Sequence, residues 1–234
     1  MQVGPACEEP NLRLETLRSR VLRMGEKVEQ QLIHTLDGLA SGDIALLDRM
    51  IEGDREINAM EAGIDEACTH LLVQRQRAPG ALRFSTAVVN IISDLKRIGD
   101  EAKNIAHTSK RIHASGRPQL PGYRTVRSAA NVTLGMLRKV LDAFARQEVN
   151  AAAQVAREDS AVHHEFRSVV RLLATFMMEG RRAIPASVDI LFVAMSIQRI
   201  GDHAGNIAEH VVNMAGVGHV RHTLRGEESI LAMR

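Results

Sequence analysis

A ten-residue segment occurs twice in this chain and limits the folds that the chain can adopt. Residues 97–106 read RIGDEAKNIA and residues 199–208 read RIGDHAGNIA, so the copies differ at only two of ten positions. The copies lie 102 residues apart in a chain of 234. A period this long exceeds that of the common solenoid repeats, and it predicts two copies of one half-domain.

Apolar residues around both copies recur three or four positions apart, as in a long amphipathic helix. The first copy has Val88, Ile91, Leu95, Ile98, Ala102 and Ile105 in this pattern; the second has Ile190, Val193, Ile197, Ile200, Ala204, Ile207, Val211 and Met214. Such a stripe is typical of the buried seam of a helical bundle. We therefore expect Ile98 and Ile200 in the core.

The repeat also preserves polar residues away from this seam. At about 100° per residue, Asp100 and Asp202 are predicted to lie opposite the apolar stripe and to face outward. Packing does not require them there, so a functional surface and a solvated face inherited through duplication both remain open. The signature surface comprises Arg97, Asp100, Asn104, Arg199, Asp202 and Asn206.

Composition and turn signals predict an all-α chain. Aromatic residues make up 3% of the chain and tryptophan is absent, which disfavours sandwiches and barrels. Proline breaks helix interiors, and none of the six prolines interrupts an apolar period. We predict six long helices, at about 12–40, 44–77, 82–115, 123–146, 149–178 and 186–215. They should form two tandem, internally duplicated three-helix bundles packed side by side (12–115 and 123–216), with a linker at 116–122 and a tail at 217–234.

Charge and motifs exclude several classes of function. A formal net charge of +2 gives no electrostatic case for a nucleic-acid partner or an anionic membrane. Cys7 and Cys68 share no metal or redox spacing, the N-terminus lacks the features of a signal peptide, and no apolar run approaches about 18 residues. Catalytic motifs such as GxSxG, the P-loop and HExxH are absent. We expect a soluble, cytoplasmic protein that is not an enzyme.

Acidic and imidazole residues on the helices beside the repeat suggest a metal site. Such ligands from two adjacent helices suit iron, zinc, manganese or magnesium. The alternative is a charged helix flank with pairs at i and i+4. The candidate ligands in the second half are Asp159, His163, Asp202, His203 and Glu209, and the weaker ones in the first half are Asp54 and Asp100.

The doubled RIGD-x-A-x-N-I-A signature, placed on the last helix of two three-helix halves, resembles the PhoU family over about residues 12–216. The resemblance implies a pair of three-helix bundles and a homodimer. It also implies a non-enzymatic adaptor between the phosphate ABC transporter, through its ATPase subunit, and the phosphate sensor histidine kinase. Such an adaptor represses the starvation response when phosphate is plentiful and associates with membrane complexes only peripherally.

Some PhoU proteins bind iron or zinc clusters through paired acidic motifs, and this chain departs from that pattern. Lys96 precedes Asp100 and Gln198 precedes Asp202, where the family usually has glutamate. Lys96 can neutralise Asp100 and stand in for a cation. Any divalent or iron-type metal is therefore expected in the second half. A metal-storage or metal-dependent bundle protein is the alternative function, and a plain helical scaffold is the third.

Overall fold

The computed structural model describes residues 8–74, 79–115 and 122–214, and it is helical throughout these ranges apart from short turns. The helices are α1 (Glu8–Ser41), α2 (Ile44–Gln74), α3 (Pro79–Ala114), α4 (Tyr123–Arg146), α5 (Val149–Glu179) and α6 (Ile184–Met214), with a 3-10 turn at Arg181–Ala183. The all-α prediction with six long helices is confirmed. Helix α1 begins four residues before the predicted start, and the predicted tail at 217–234 lies outside the described residues.

The turn between α1 and α2 forms where the sequence predicts it. Gly42 has a φ of 75°, a left-handed conformation that glycine adopts without steric cost. Asp43 then caps α2, because its Oδ1 accepts a hydrogen bond from the backbone N–H of Leu46 at 2.9 Å. The reversal places α2 antiparallel to α1 within the first bundle.

The seams predicted from periodicity form one continuous core. Ile98 and Ile200 are both 0% exposed, as the seam assignment requires. Helices α1, α2 and α3 pack together in the first half, and α4, α5 and α6 pack together in the second. The fully buried positions from the two signature helices include Val88, Ile91, Leu95, Ile105, Ile190, Val193, Ala204 and Ile207.

The two bundles share an extensive interface. Among the described helices, α3 and α6 make the most extensive contact, and α1 also packs against α4. A Cβ on Gly25 would lie 2.5 Å from Cδ2 of Leu141, so α1 and α4 approach closely only because this residue is glycine. Helices α3 and α6 run antiparallel, since Arg111 pairs with Asp189 whereas Asp94 pairs with His210.

The helical segment Arg181–Met214 is long and apolar enough to span a membrane, although no such segment is expected from the sequence. The structure explains the apolar character of this stretch. Helix α6 lies against α3, α4 and α5, so it is apolar on several sides because it is the central helix of the bundle core. Its side chains at Ile190, Val193, Ile197 and Val211 are at most 1% exposed.

Candidate functional site

In each half, polar side chains meet between the last two helices, beside the signature segment, and we call these two lines of contact the first and second grooves. Gly99 and Gly201 allow these helices to approach closely, because a Cβ on Gly99 would lie 3.2 Å from Ile57 and one on Gly201 would lie 2.8 Å from Val162. Ile57 and Val162 each contact the signature glycine of their own half, so they are equivalent positions in the two halves, 105 residues apart.

Asp100 and Asp202 follow the two glycines and lie at the edges of the grooves. Both residues are half-buried, rather than fully outward-facing as the helical geometry predicts. A wheel drawn for one helix places them opposite the seam, but the neighbouring helix of the same bundle covers part of that side.

In the first groove the ammonium group of Lys103 pairs with the buried carboxylate of Asp54. Lys103 Nζ donates to Asp54 Oδ2 at 2.8 Å, and Asn58 Nδ2 donates to the same oxygen at 3.2 Å. The Asp54 side chain is only 5% exposed, so a cationic partner is needed to offset the cost of burying its charge. The prediction that Lys96 supplies the positive charge of this groove is therefore wrong. Lys103 supplies it, and Lys96 pairs with Glu61 at 3.3 Å.

Asp100 lies close enough to this cluster for its ionisation to be affected. Burial raises the pKa of Asp100 above its ordinary value, and repulsion from Asp54 raises it further, whereas Lys96 and Lys103 act in the opposite direction. A net increase means that the groove disfavours a second negative charge. The Lys103 ammonium already balances the charge of Asp54, which leaves less net negative charge in the first groove to attract a divalent cation.

Replacing Lys103 with methionine is expected to destabilise the protein by about 1–3 kcal/mol, because it leaves the Asp54 charge buried without a cation. Lys110→Met is the matched control. The two lysine side chains are 34% and 35% exposed, but Asp48, the partner of Lys110, is 48% exposed. The control should cost less than about 1 kcal/mol. Urea unfolding of both variants is the measurement, and equal losses would contradict the role given to Asp54 burial.

The second groove has no lysine, since Gly205 stands at the position of Lys103. The Gln198 amide donates to His163 Nδ1 at 2.8 Å, and His163 Nε2 lies 3.5 Å from Asp202 Oδ1. With Nδ1 accepting, the imidazole proton is on Nε2 and faces the Asp202 carboxylate. The structure therefore brings two of the predicted ligands, His163 and Asp202, together across α5 and α6.

The other predicted ligands do not join this pair within the described residues. His203 lies on the α3 side of α6, where its Nδ1 is 3.0 Å from Asp94 Oδ1. Glu209 follows Asp202 by seven residues, which is about 10 Å along a helix. Asp159 lies in α5, but its side chain is outside the described residues. No group of three or more possible ligands is assembled among the described residues.

A third polar cluster, at the interface of the two bundles, was not predicted from the sequence. His203 Nδ1 faces Asp94 Oδ1 at 3.0 Å and His210 Nε2 faces Asp94 Oδ2 at 3.3 Å. The Asp94 side chain is 5% exposed. Burial alone would raise the pKa of Asp94, but hydrogen bonds and charge attraction from the two histidines outweigh it and lower the pKa to about 2. The carboxylate therefore stays ionised and holds α3 to α6.

The signature residues extend this inter-bundle contact. Arg199 Nη1 on α6 donates to Glu101 Oε1 on α3 at 3.1 Å, and Asn104 Nδ2 donates to Glu101 Oε2 at 3.4 Å. Arg97 Nη1 lies 3.7 Å from Asp94 Oδ1. Arg199 and Asn104 therefore contribute to the interface through Glu101, whereas Asp100 and Asp202 lie at the grooves and Asn206 is half-buried on α6.

The two differences between the decapeptide copies mark these asymmetric contacts. Glu101 and His203 are equivalent positions, yet Glu101 binds Arg199 whereas His203 binds Asp94. Lys103 neutralises the first groove, and its counterpart Gly205 carries no side chain. The two substitutions within an otherwise unchanged repeat are thus a sequence signal that could have indicated where the halves make different contacts, although no such prediction was made from them.

Comparisons with known proteins agree with this architecture. A family model described as "PhoU domain" matches residues 21–108 and 126–211. The chain is 41% identical over 212 residues to the phosphate-specific transport system accessory protein PhoU of Serratia marcescens, covering 91% of this chain and 86% of that protein. It is 40% identical over 201 residues to the protein of the same name from Escherichia coli strain K12, covering 86% and 83% respectively.

Two solved structures have the same fold. The crystal structure of PhoU from Pseudomonas aeruginosa is similar with a TM-score of 0.83 at 39% identity, over 88% of this chain and 98% of that chain. The phosphate transport system regulatory protein PhoU from Streptococcus pneumoniae matches with a TM-score of 0.80 at 23% identity, over 90% and 99%. At that lower identity the likeness is one of fold alone.

Proposed function

The chain belongs to the PhoU family, and on that premise we propose that it is a non-enzymatic accessory protein of a phosphate-specific transport system. One observation carries the proposal, namely the identity of about 40% to proteins of that name along nearly the whole of both chains. The doubled domain match at 21–108 and 126–211 supports it, because both halves of the fold are present. The cytoplasm is the proposed location.

We further propose that the protein is an adaptor between the ATPase subunit of the phosphate ABC transporter and the phosphate sensor kinase. In that role it represses the starvation response when phosphate is plentiful. Long helices joined by short turns support an adaptor, since they offer extended rigid faces to more than one partner. Homodimerisation stays an expectation from the family resemblance.

Deleting the gene is expected to release the starvation response in phosphate-rich medium. The measurements are alkaline phosphatase activity and phosphate uptake, compared with a strain that expresses the protein from a plasmid. Repression that persists unchanged after deletion, together with normal transport, would contradict the proposed role.

A metal-dependent function receives less support from the described residues. Lys103 neutralises Asp54 in the first groove, and the second groove brings together His163 and Asp202 without a third described ligand. Metal analysis of the purified protein tests this alternative, and tightly bound stoichiometric iron or zinc that is lost in His163→Ala would favour it.

A further inference from the structure

An exposed apolar surface lies at the α5–α6 hairpin. We define the hairpin patch as Val170, Met178, Ile184, Val188 and Phe192, whose exposed fractions run from 36% to 87%. On α6 the three patch residues are spaced by four positions, so they form one stripe about 12 Å long. Contiguous exposed apolar side chains of this kind are typical of interaction sites.

The first half of the chain supplies an internal comparison for this surface. By the spacing of 102 residues between the signature copies, Val188 and Phe192 of α6 correspond to Thr86 and Asn90 of α3. All four residues are exposed. At these two positions the duplicated helices therefore carry polar residues in the first half and apolar residues in the second, whereas Ile184 corresponds to the exposed Leu82. Exposure alone does not explain the difference, because all four side chains are exposed to water.

The same contrast holds on the preceding helix. By the spacing of 105 residues defined by Ile57 and Val162, the exposed Val170 of α5 corresponds to the exposed Asp65 of α2. The end of the hairpin is apolar in both halves, where Met178 corresponds to Val73 and Ile184 corresponds to Leu82, and all four side chains are exposed. In the second half the exposed apolar surface thus continues beyond the tip along both helices of the hairpin.

Basic residues lie beside the patch in the sequence, on α5 and in the α5–α6 connection. The segment 167–182 contains four arginines and one acidic residue, Glu179, whereas the equivalent segment 62–77 contains two arginines and two acidic residues. The four arginines, all exposed, are Arg167, Arg171, Arg181 and Arg182. Within the described part of the chain, none of the four forms an ion pair with a carboxylate. This rim therefore favours an acidic partner.

The patch also borders a concave surface. Phe192 and Met195 line a cleft between α6 and α3, together with Arg111 and Arg199. An apolar stripe two turns long beside a cleft is the geometry in which an amphipathic helix binds, with anchors at i, i+3 or i+4, and i+7. A flat membrane surface does not match this concavity, and a second copy of the chain would bring its own basic rim toward this one.

We propose that the hairpin patch is a docking surface for an acidic amphipathic helix of a partner protein. The apolar face of that helix packs on Val188 and Phe192. Its carboxylates lie against the arginines of α5 and of the α5–α6 connection. The part of this surface beyond the hairpin tip is specific to the second half, so a partner of this chemistry distinguishes the two halves.

Binding of a synthetic helical peptide tests the proposal. The probe is a peptide of about 18 residues with leucines on one face and glutamates on the other, labelled for fluorescence anisotropy and added to the full-length protein. A peptide with lysine in place of glutamate is the control ligand. We expect saturable binding of the acidic peptide that weakens as the salt concentration rises, and little binding of the basic one.

Variants locate the site. Val188→Thr combined with Phe192→Asn gives α6 the residues of α3 and is expected to weaken binding at least ten-fold. Thr86→Ala combined with Asn90→Ala, at the equivalent face of the first half, should leave it unchanged. Arg181→Glu with Arg182→Glu should also weaken binding at least ten-fold, whereas Arg124→Glu with Arg157→Glu applies the same charge change to exposed residues elsewhere and should have little effect.

Three results would overturn the proposal. The first is equal binding of the acidic and basic peptides. The second is that the Val188→Thr/Phe192→Asn variant loses a dimer seen by sedimentation of the wild type but binds the peptide as wild type does. The hairpin patch would then bind a second copy of the chain. The third is that the peptide does not bind the wild-type protein, while phosphatidylglycerol vesicles bind the wild type more tightly than this variant. The hairpin patch would then bind a membrane surface. None of these results bears on the deletion phenotype, which tests the regulatory role separately.

Discussion

Replacing Ile200 with aspartate is expected to unfold the protein. The Ile200 side chain is 0% exposed in the seam of α6, the helix that contacts α3, α4 and α5. A carboxylate placed there loses its hydration and finds no cation among apolar neighbours, which costs about 4–5 kcal/mol or more. Because domains of this kind are stable by about 5–15 kcal/mol, we expect loss of the cooperative unfolding transition in circular dichroism, and the same result for Ile98→Asp.

Asp202→Ala is the control for this variant. Asp202 lies two residues from Ile200 on the same helix, but its side chain is 43% exposed, so its removal should change stability by less than about 1 kcal/mol. A stable Ile200→Asp protein together with an unfolded Asp202→Ala protein would show that the buried and exposed faces of α6 are assigned the wrong way round.

Replacing Asp94 with asparagine is expected to loosen the inter-bundle interface and to change how stability depends on pH. The pKa of Asp94 is about 2 in the folded protein, against an ordinary value of 3.8. A lowered pKa stabilises the folded state above the ordinary value, and this contribution disappears as the pH falls from about 4 to about 2. The shift corresponds to about 2–3 kcal/mol at neutral pH.

Urea unfolding between pH 2 and pH 7 measures this effect. The difference between wild type and Asp94→Asn should be about 2–3 kcal/mol near pH 6 and should approach zero near pH 2. Asp142→Asn, an exposed carboxylate on α4, is the control and should show almost no difference at any pH. A constant difference across the whole range would mean that asparagine disturbs packing and that the Asp94 charge is not the cause.

The candidate polar sites were only partly predictable from the sequence. Spacing on single helices correctly paired α5 with α6, so His163 and Asp202 meet. It also grouped His203 with them, although this residue faces α3. The position of a side chain around its own helix follows from its number, but the identity of the neighbouring helix on that side depends on how the bundles are packed. Asp94 was missed for this reason.

The choice of Lys103 over Lys96 as the cation of the first groove has a similar explanation. Lys96 lies four residues before Asp100, so local spacing favoured it as the partner. The structure places Lys103 against the buried Asp54 instead, at a sequence separation of 49 residues. The buried carboxylate has the stronger requirement for a counterion, and its burial depends on α1, α2 and α3 packing together.

By itself, the sequence determined the features that depend on contacts along a helix or around a turn. These are the six helices, the buried seams with Ile98 and Ile200, and the duplication itself. Helical periodicity is a local property, and apolar burial follows from it whatever the neighbouring element. Only the tertiary structure decided which polar groups meet across helices. The pairs of Lys103 with Asp54 and of His203 with Asp94 require long-range packing, because the rotation and register of two packed helices are set jointly by all the side chains between them.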